Sequence, residues 1–288
     1  MRYVIKNKYL TVTVDTLGAE VVSILGNDGF EYVWSGEAWR GHAPLLFPVC
    51  GSLLGDGYTV GGVEYKMPKH GFARKSEFKV ENASKDEITL SLSASEETLA
   101  VYPFNFKLTA RYFLTLSMLN VAFTVENLGE GVMPYMFGWH PAFNLGGGED
   151  ISSFYINFGV DGPLKRHSLQ NGPFVNPESV DFPLQSGRYY LNEQEIYEND
   201  TLIIENAPND VTLISDGERH GVQLLYSTNL PYFCIWKAPV SEARYLCLEP
   251  WSGVPADGLT PENFDTRAMS RLSGGESEIY RYAVIPKK

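Results

Sequence analysis

The sequence predicts an all-β fold, a large antiparallel β-sandwich with a few short helices. Short segments of alternating or β-branched character recur along the whole chain, turn-favouring residues separate many of them, and no long helical pattern interrupts them. The chain has 288 residues, 44% of them hydrophobic and 20% charged, which is enough to bury a large core. We predict a single domain over residues 1–288.

The predicted strands are short and rich in Val, Ile, Leu, Thr and aromatic residues. They cover residues 10–15, 20–25, 88–94, 106–114, 119–126, 211–215, 221–226, 232–236 and 276–285. Many of the intervening stretches contain residues that tolerate positive φ, namely 26–29, 61–62, 127–129 and 216–217. This arrangement indicates hairpin connections between neighbouring antiparallel strands.

Helical periodicity is confined to residues 37–39, 95–101 and 261–264, each long enough for a turn or two. None is long enough for the crossover helix of a parallel βαβ unit, which disfavours nucleotide-binding folds built on that unit. The segment 144–199 is the most irregular, with several prolines and a strand-like patch at 154–158. We predict that it forms long loops within the same domain.

Charge and composition narrow the choice of partners. The net charge is -12 and the pI about 4.9, so the field of the protein repels nucleic acid, and no Lys/Arg-rich run offers an exception. No stretch approaches the roughly 20 apolar residues of a membrane span, and the first residues lack the apolar run of a signal peptide. We expect a cytoplasmic monomer or homodimer without a nucleic-acid or membrane partner.

The three cysteines, Cys50, Cys234 and Cys247, are odd in number and widely spaced, and no CxxC or Cys/His pair accompanies them. This pattern favours neither a disulfide framework nor a zinc site. We expect each cysteine to be a reduced thiol in the core, and we expect no cofactor and no metal.

Three segments concentrate histidine, carboxylate, aromatic and rigid-turn residues, a composition typical of a site for a carbohydrate or another small polar ligand. They are KHGFAR at 69–74, GWHPAF at 138–143 and LEPWSG at 248–253. In the third, Glu249 directly follows an apolar run and precedes Pro250 and Trp251. Burial beside an aromatic would raise the pKa of the Glu249 carboxyl towards the range of a general base. The alternative is that Glu249 is a solvated residue at the end of a strand, because Glu is mostly exposed in proteins.

Two histidines occur in these segments. Pro141 favours an extended conformation for His140, which holds the imidazole at a fixed angle. Gly71 beside His70 permits a sharp turn and close approach of a ligand, and Arg74 is near in sequence. A purely structural role in a turn or in the core is the alternative for either histidine.

The order of motifs resembles the aldose 1-epimerase family, particularly its LacX-like branch. The matching stretches are FPVCG at 47–51, DGYTVGGVEYKMPKHGFAR at 56–74, GWHPAFN at 138–144, the segment around Asp200, and LCLEPWSG at 246–253. Each stretch is short, but five in the same order over nearly the whole chain make a specific resemblance.

The resemblance implies a galactose mutarotase-like supersandwich with a sugar in an open cleft. In that family pattern Glu249 matches the general base, His140 the general acid and His70 a histidine that contacts the sugar. Asp200 occupies the place of a hydroxyl-binding aspartate by position more than by motif, and a surface turn is the alternative. For the apolar face of the sugar we expect Trp251 and Phe143 to be the stacking aromatics, although strand aromatics more often belong to the core.

The implied reaction is acid-base catalysis without a cofactor. Glu249 takes the proton of the anomeric hydroxyl, His140 gives one to the ring oxygen, and the ring opens and closes again on the other face. To close the ring each group reverses its proton transfer, which requires the two pKa values to lie near each other and near neutrality. We therefore expect a raised pKa for Glu249 and a near-normal pKa for His140.

One departure from the family pattern leaves other functions open. Many relatives carry Arg where this chain has Ser52, so either Arg74 takes over its role or the site binds differently, and a non-catalytic sugar-binding protein is one alternative. A hexose-6-phosphate mutarotase is another, with Lys69, Arg74 and Lys237 as candidate phosphate ligands. A glycoside hydrolase or lyase would require a second carboxylate facing Glu249.

Overall fold

The computed structural model describes residues 1–146, 150–217, 219–240 and 243–287. Strands make up about 49% and helices about 8% of it, which confirms the predicted all-β class. No helix in this part of the chain has the length and hydropathy needed to span a bilayer.

The strands are mostly short, and in chain order they are as follows. They are β1 (Arg2–Lys6), β2 (Leu10–Asp15), β3 (Val21–Gly26), β4 (Leu45–Leu46), β5 (Gly57–Val60), β6 (Val63–Lys66), β7 (Lys79–Ala83), β8 (Glu87–Ser93), β9 (Phe106–Thr115), β10 (Met118–Asn127), β11 (Met133–Tyr135), β12 (Gly138–Trp139), β13 (Ala142–Asn144), β14 (Phe154–Asn157), β15 (Leu164–His167), β16 (Leu169–Gln170), β17 (Phe174–Val175), β18 (Val180–Phe182), β19 (Arg188–Tyr190), β20 (Thr201–Glu205), β21 (Asp210–Ser215), β22 (Gly221–Tyr226), β23 (Tyr232–Trp236), β24 (Tyr245–Trp251), β25 (Glu262–Asn263), β26 (Ser270–Leu272) and β27 (Ser277–Lys287).

Nine of these strands form one antiparallel sheet in the order β19-β14-β21-β22-β27-β10-β9-β8-β7. Buried and partly exposed residues alternate along its central strands β9 and β10, as expected for a sheet with one face in a core. Every strand segment predicted from the sequence corresponds to a strand here, with ends shifted by at most two residues or so. The predicted turns at 61–62 and 216–217 connect paired strands.

A second antiparallel sheet has the order β18-β15-β20-β23-β24-β12-β4, with β13 also paired to β24. It packs against the nine-stranded sheet through aromatic side chains. The ring of Trp139 lies 5.2 Å from that of Tyr282, and the ring of Phe233 lies 5.8 Å from that of Tyr226. The two large sheets therefore form the predicted antiparallel sandwich, with smaller sheets β1-β2-β3, β25-β5-β6, β11-β26 and β16-β17 around it.

The helices differ from the sequence prediction in three places, the first of which is residues 37–39, where the chain makes a turn and no helix. Helix α1 (Glu96–Val101) is as predicted and begins with a capping box at Ser95, and single 3-10 turns cover Leu54–Asp56, Ala73–Lys75 and Ile151–Ser153. The segment 261–264 is extended instead of helical, because β25 pairs in parallel with β5. Helix α2 (Glu193–Asn199), capped by Asn192, lies in the segment predicted as loops.

Candidate active site

The second large sheet, which has eight strands including β13, has one face in the sandwich core and the other face outside it. Strand β24 shows this most clearly. Its residues alternate, so that Leu246 and Leu248 pack in the sandwich core while Cys247, Glu249 and Trp251 lie on the opposite face. Glu249 is fully buried and lies inside the strand, not just past it as the apolar run had suggested. The outer face of this sheet thus carries a carboxyl at its centre.

His140 lies directly opposite Glu249 on the neighbouring segment. β12 and β13 pair with β24 in one continuous register on either side of His140. Nε2 of His140 is 3.2 Å from Oε2 of Glu249, although the alignment of the two groups is not that of a hydrogen bond. The backbone N–H of His140 donates to the carbonyl of Pro44, and the Trp39 ring stacks on the imidazole at 5.0 Å. Pairing across the sheet therefore brings the predicted acid and base together.

A cavity of about 170 Å³ opens over this pair, and loops from several parts of the chain close around it. Its lining residues are Trp39, Gly51, Lys69, His70, Arg74, His140, Leu169, Pro173, Thr201, Ile203, Trp236, Glu249, Trp251 and Pro255. Glu249 is the one carboxylate among these described residues, so the arrangement lacks the facing carboxylate pair of a glycoside hydrolase. The lining combines aromatic walls with a few polar groups, as small-molecule sites do.

Burial dominates the protonation of Glu249. It raises the pKa of this carboxyl well above 4.5, and the charge of Asp200 adds to the rise, while the charge of Lys69 and the indole of Trp251 oppose it. Neither carboxyl oxygen has a hydrogen-bond partner among the described residues. The raised pKa agrees with the expectation for a general base.

The protonation of His140 differs from the expectation. Burial is the main cause that lowers the pKa of its imidazole to about 3; the charges of Lys69 and Arg74 act in the same direction, and a contact with its own backbone acts against them. The near-normal pKa expected for His140 is therefore wrong for the site without a sugar. The sequence did not reveal that the imidazole is covered and faces two cations.

His70 is held as one neutral tautomer. Its Nδ1 accepts a hydrogen bond of 3.0 Å from the backbone N–H of Gly51, so the proton of the neutral ring is on Nε2. Burial and the nearby charges of His140, Lys69 and Arg74 keep its pKa well below the ordinary value. His70 can therefore donate a hydrogen bond to a ligand oxygen.

The position of His70 depends on an unusual turn. Both His70 and Gly71 have positive φ, 65° and 70°. A Cβ atom on Gly71 would lie 2.1 Å from the carbonyl oxygen of Phe47, so only glycine fits there. The sharp turn predicted at Gly71 is present, and the backbone of Phe47 is what excludes a side chain there. The close approach of a ligand stays a prediction.

Two cations lie at the cavity, Lys69 and Arg74. Nη2 of Arg74 donates to the backbone carbonyl of Lys69 at 2.9 Å, and its Nε is buried without a hydrogen-bond partner among the described residues. Lys237, the third predicted phosphate ligand, does not line the cavity, because its buried ammonium contacts Glu193 and Tyr197. Lys69 and Arg74 are thus the basic side chains that a ligand in this cavity meets.

The other predicted ligand residues lie in three different places. Trp251 lines the cavity, whereas Asp200 is exposed at the end of α2 and only its neighbour Thr201 reaches the lining. Phe143 corrects the prediction of a stacking aromatic, since it is 1% exposed and pairs with Leu246 on the face that packs in the sandwich core. The structure therefore leaves Phe143 out of the site.

Ser52, the position at which the family resemblance led us to expect Arg, is buried and does not line the cavity. Its carbonyl accepts a hydrogen bond from the backbone N–H of Ala256, which anchors the loop bearing the lining residue Pro255. Arg74 is the arginine that reaches the cavity instead.

Several lining residues were not predicted from the sequence. Trp39 stands in a loop with no recognisable motif, and Leu169 and Pro173 belong to or flank the short hairpin β16-β17. Thr201 and Ile203 are on the site face of β20 because Ile203 pairs with Cys234, which in turn pairs with Glu249. Two-residue spacing along β20 was the available signal for Thr201 and Ile203, but their distance from Glu249 depends on strand order.

Comparisons with known proteins identify the family of the chain. A model of the aldose 1-epimerase family matches residues 1–257. Protein LacX (plasmid) of Lactococcus lactis subsp. lactis is 32% identical over 268 residues, 87% of each chain.

Two solved structures are similar over almost their whole length. The galactose mutarotase related enzyme from Lactobacillus acidophilus has a TM-score of 0.93 and 29% identity, covering 100% of this chain and 98% of that one. A galactose mutarotase-like protein from Lactobacillus casei has a TM-score of 0.93 and 30% identity, covering 99% and 100%. With the matching motifs, fold and family model together, the chain belongs to the aldose 1-epimerase family.

Proposed function

We propose that this protein is an aldose 1-epimerase that interconverts the α and β anomers of a free aldose. The observation that carries the proposal is the facing pair of Glu249 and His140 at the floor of the cavity, 3.2 Å apart. Both carboxyl oxygens and Nδ1 of the imidazole lack hydrogen-bond partners among the described residues. Buried polar groups without partners are costly, so their presence in a cavity favours contacts with a polar ligand.

In the proposed reaction Glu249, as a carboxylate, takes the proton of the anomeric hydroxyl. His140, as an imidazolium, gives its proton to the ring oxygen, and the bond between that oxygen and C1 breaks to leave the open aldehyde. Rotation about the C1–C2 bond turns the other face of the carbonyl towards the hydroxyl. When the ring closes, Glu249 gives its proton to the carbonyl oxygen and His140 takes the proton of the attacking hydroxyl. Both groups then have the protonation states with which they began.

The pair holds one proton in either form. Burial favours the neutral form, with the proton on Glu249 and a neutral His140, over the ion pair. Once the two groups align, transfer of this proton from Oε2 of Glu249 to Nε2 of His140, atoms that are 3.2 Å apart, gives the carboxylate and imidazolium that ring opening requires. A bound sugar therefore only has to change the position of one proton, by offering its hydroxyl to the carboxylate and its ring oxygen to the imidazolium.

The surrounding residues fit the handling of such a ligand. We propose that His70 donates from Nε2 to a sugar oxygen, because its other nitrogen is occupied by Gly51. Trp251, with Trp39 added to the predicted set, offers an aromatic surface to the apolar C–H face of a sugar. Asp200, at the rim of the site, is proposed as a hydroxyl ligand only for the part of the sugar that projects from the cavity.

The test follows freshly dissolved α-anomers by polarimetry or NMR with wild type, Glu249→Gln and His140→Asn. We expect faster interconversion than in buffer for at least one aldose, and a loss of about 10²–10⁴-fold in either variant. Matched controls are Glu130→Gln, on the surface, and His220→Asn, which pairs with Asp28 outside the cavity lining. Equal rates in wild type and Glu249→Gln would show that the base is wrongly assigned.

A second candidate function, mutarotation of a hexose 6-phosphate, is favoured by one observation, the pair of cations at the cavity. Lys69 and Arg74 would attract a phosphate. Among the described lining residues the one carboxyl is that of Glu249, whose raised pKa favours its neutral form, so it repels a phosphate little. Competition by glucose 6-phosphate against free glucose or galactose separates the two substrates. If ligands bind and no anomer is accelerated, the chain is a sugar-binding protein.

A further inference from the structure

A third side chain with chemistry of its own lies beside the proposed acid and base. Cys247 precedes Glu249 by two residues on β24, so both point to the same face of the sheet. One donor atom each from Cys247, His140 and Glu249 lie within 4.8 Å of one another, and all three residues are buried. The proposed reaction uses only two of them and leaves the thiol without a role.

The three groups have their donor atoms free for a ligand. Cys247 is in no disulfide, neither Glu249 oxygen has a hydrogen-bond partner among the described residues, and Nε2 of His140 faces Oε2 of Glu249 at 3.2 Å without the alignment of a hydrogen bond. Binding a cation here breaks no protein hydrogen bond of the carboxyl. It also gives a partner to the Glu249 carboxyl, whose oxygens are buried without one among the described residues.

We propose that Cys247, His140 and Glu249 form a binding site for a soft divalent cation such as Zn²⁺. Thiolate, imidazole and carboxylate are the zinc ligands of proteins, and three of them leave the fourth tetrahedral position open to water from the cavity. Bonds of about 2.0–2.3 Å place tetrahedral ligands about 3.3–3.6 Å apart. The Nε2 to Oε2 distance of 3.2 Å is just short of this range.

The thiol has to move closer to complete the site. Donor separations extend to 4.8 Å, so a displacement of about 1 Å by side-chain rotation brings the sulfur into range. A divalent ion with one thiolate and one carboxylate is neutral, which makes the complex compatible with burial. Its formation displaces the protons of the Cys247 thiol and the Glu249 carboxyl into solution.

The ion and the sugar cannot bind together, because both use Glu249 and His140. This consequence depends on the proposed function, and zinc is then a competitive inhibitor of the epimerase. Binding of the ion itself needs no turnover, so it is measured separately on the full chain.

The experiment is calorimetric titration of the chelator-free protein with zinc chloride, in two buffers of different ionisation enthalpy that reveal the released protons. Titration with cadmium adds the ultraviolet charge-transfer band of a sulfur-to-cadmium bond. We expect stoichiometric binding of one ion, proton release and that band in the wild type. Sugar at saturating concentration is expected to weaken the binding.

Cys247→Ser is expected to weaken the binding of zinc at least about tenfold and to remove the charge-transfer band seen with cadmium. Cys234→Ser is the matched control, because Cys234 is a buried thiol that faces Glu249 from β23 but is not in the donor trio. Tryptophan fluorescence verifies that each variant is folded, with Cys247→Ala as a second variant. No heat of binding in the wild type at a tenfold molar excess, or equal binding by wild type and Cys247→Ser, overturns the site.

Discussion

Replacing Glu249 by Gln is expected to stabilise the folded protein while it removes the proposed base. The pKa of the buried carboxyl is raised above 4.5, so the folded state binds this proton more tightly than the unfolded state does. That contribution to stability is fully present below about pH 4.5 and is lost as the pH rises through the folded pKa. Gln has nearly the same shape and does not ionise, so it is free of this loss.

The magnitude follows from proton linkage. One pKa unit corresponds to about 1.4 kcal/mol, and pH 7 lies 2.5 units above the reference value of 4.5. The advantage of Gln over Glu at pH 7 is therefore at most about 3.5 kcal/mol, and we expect about 1–3 kcal/mol. For a chain of this size each kcal/mol raises Tm by roughly 2–4 °C.

Urea unfolding at pH 5 and pH 8, followed by tryptophan fluorescence, measures the difference. We expect Glu249→Gln to exceed the wild type in free energy of unfolding by more at pH 8 than at pH 5. Glu130→Gln, on the surface, is the control for the same chemical change. A Glu249→Gln variant that is less stable than the wild type at pH 8, or a gap that does not grow with pH, would refute the reasoning.

Three other predictions concern activity and backbone strain. Because the pKa of His140 is lowered to about 3, we expect kcat/KM not to fall between pH 7 and pH 5. We expect it to decline as the pH rises through the raised pKa of Glu249, because the pair then loses its proton. Exchange rates measured by NMR test this, and a fall in kcat/KM below pH 6.5 would contradict it. Gly71→Ala places a Cβ against the carbonyl of Phe47 at positive φ, so we expect a loss of at least about 1–3 kcal/mol in thermal unfolding, and an unchanged Tm would contradict this. Trp39→Leu removes a ring that lines the cavity, so KM is expected to rise about 2–10-fold with little change in kcat, and an unaltered KM would exclude Trp39 from the sugar site.

Alternation along the chain was sufficient to predict the fold class, whereas the candidate site residues were predicted from motif composition and the family resemblance. Strand segments at 106–114, 119–126 and 232–236 were recognisable because side chains on a strand point to opposite faces in turn. The same alternation could have excluded Phe143 from the site. It is three positions from His140, so on one extended segment the two side chains point to opposite faces, and the structure places Phe143 in the core.

What the sequence by itself determined was the chemistry available near Glu249, His140 and His70, and the class of fold that carries it. Only the tertiary structure decided that β12 and β13 hold His140 opposite Glu249, because strand register depends on pairing between segments far apart in the chain. It also decided the lowered pKa of His140 and brought Cys247 beside the pair. Burial and neighbouring charges act through space, so they depend on every segment that covers the site.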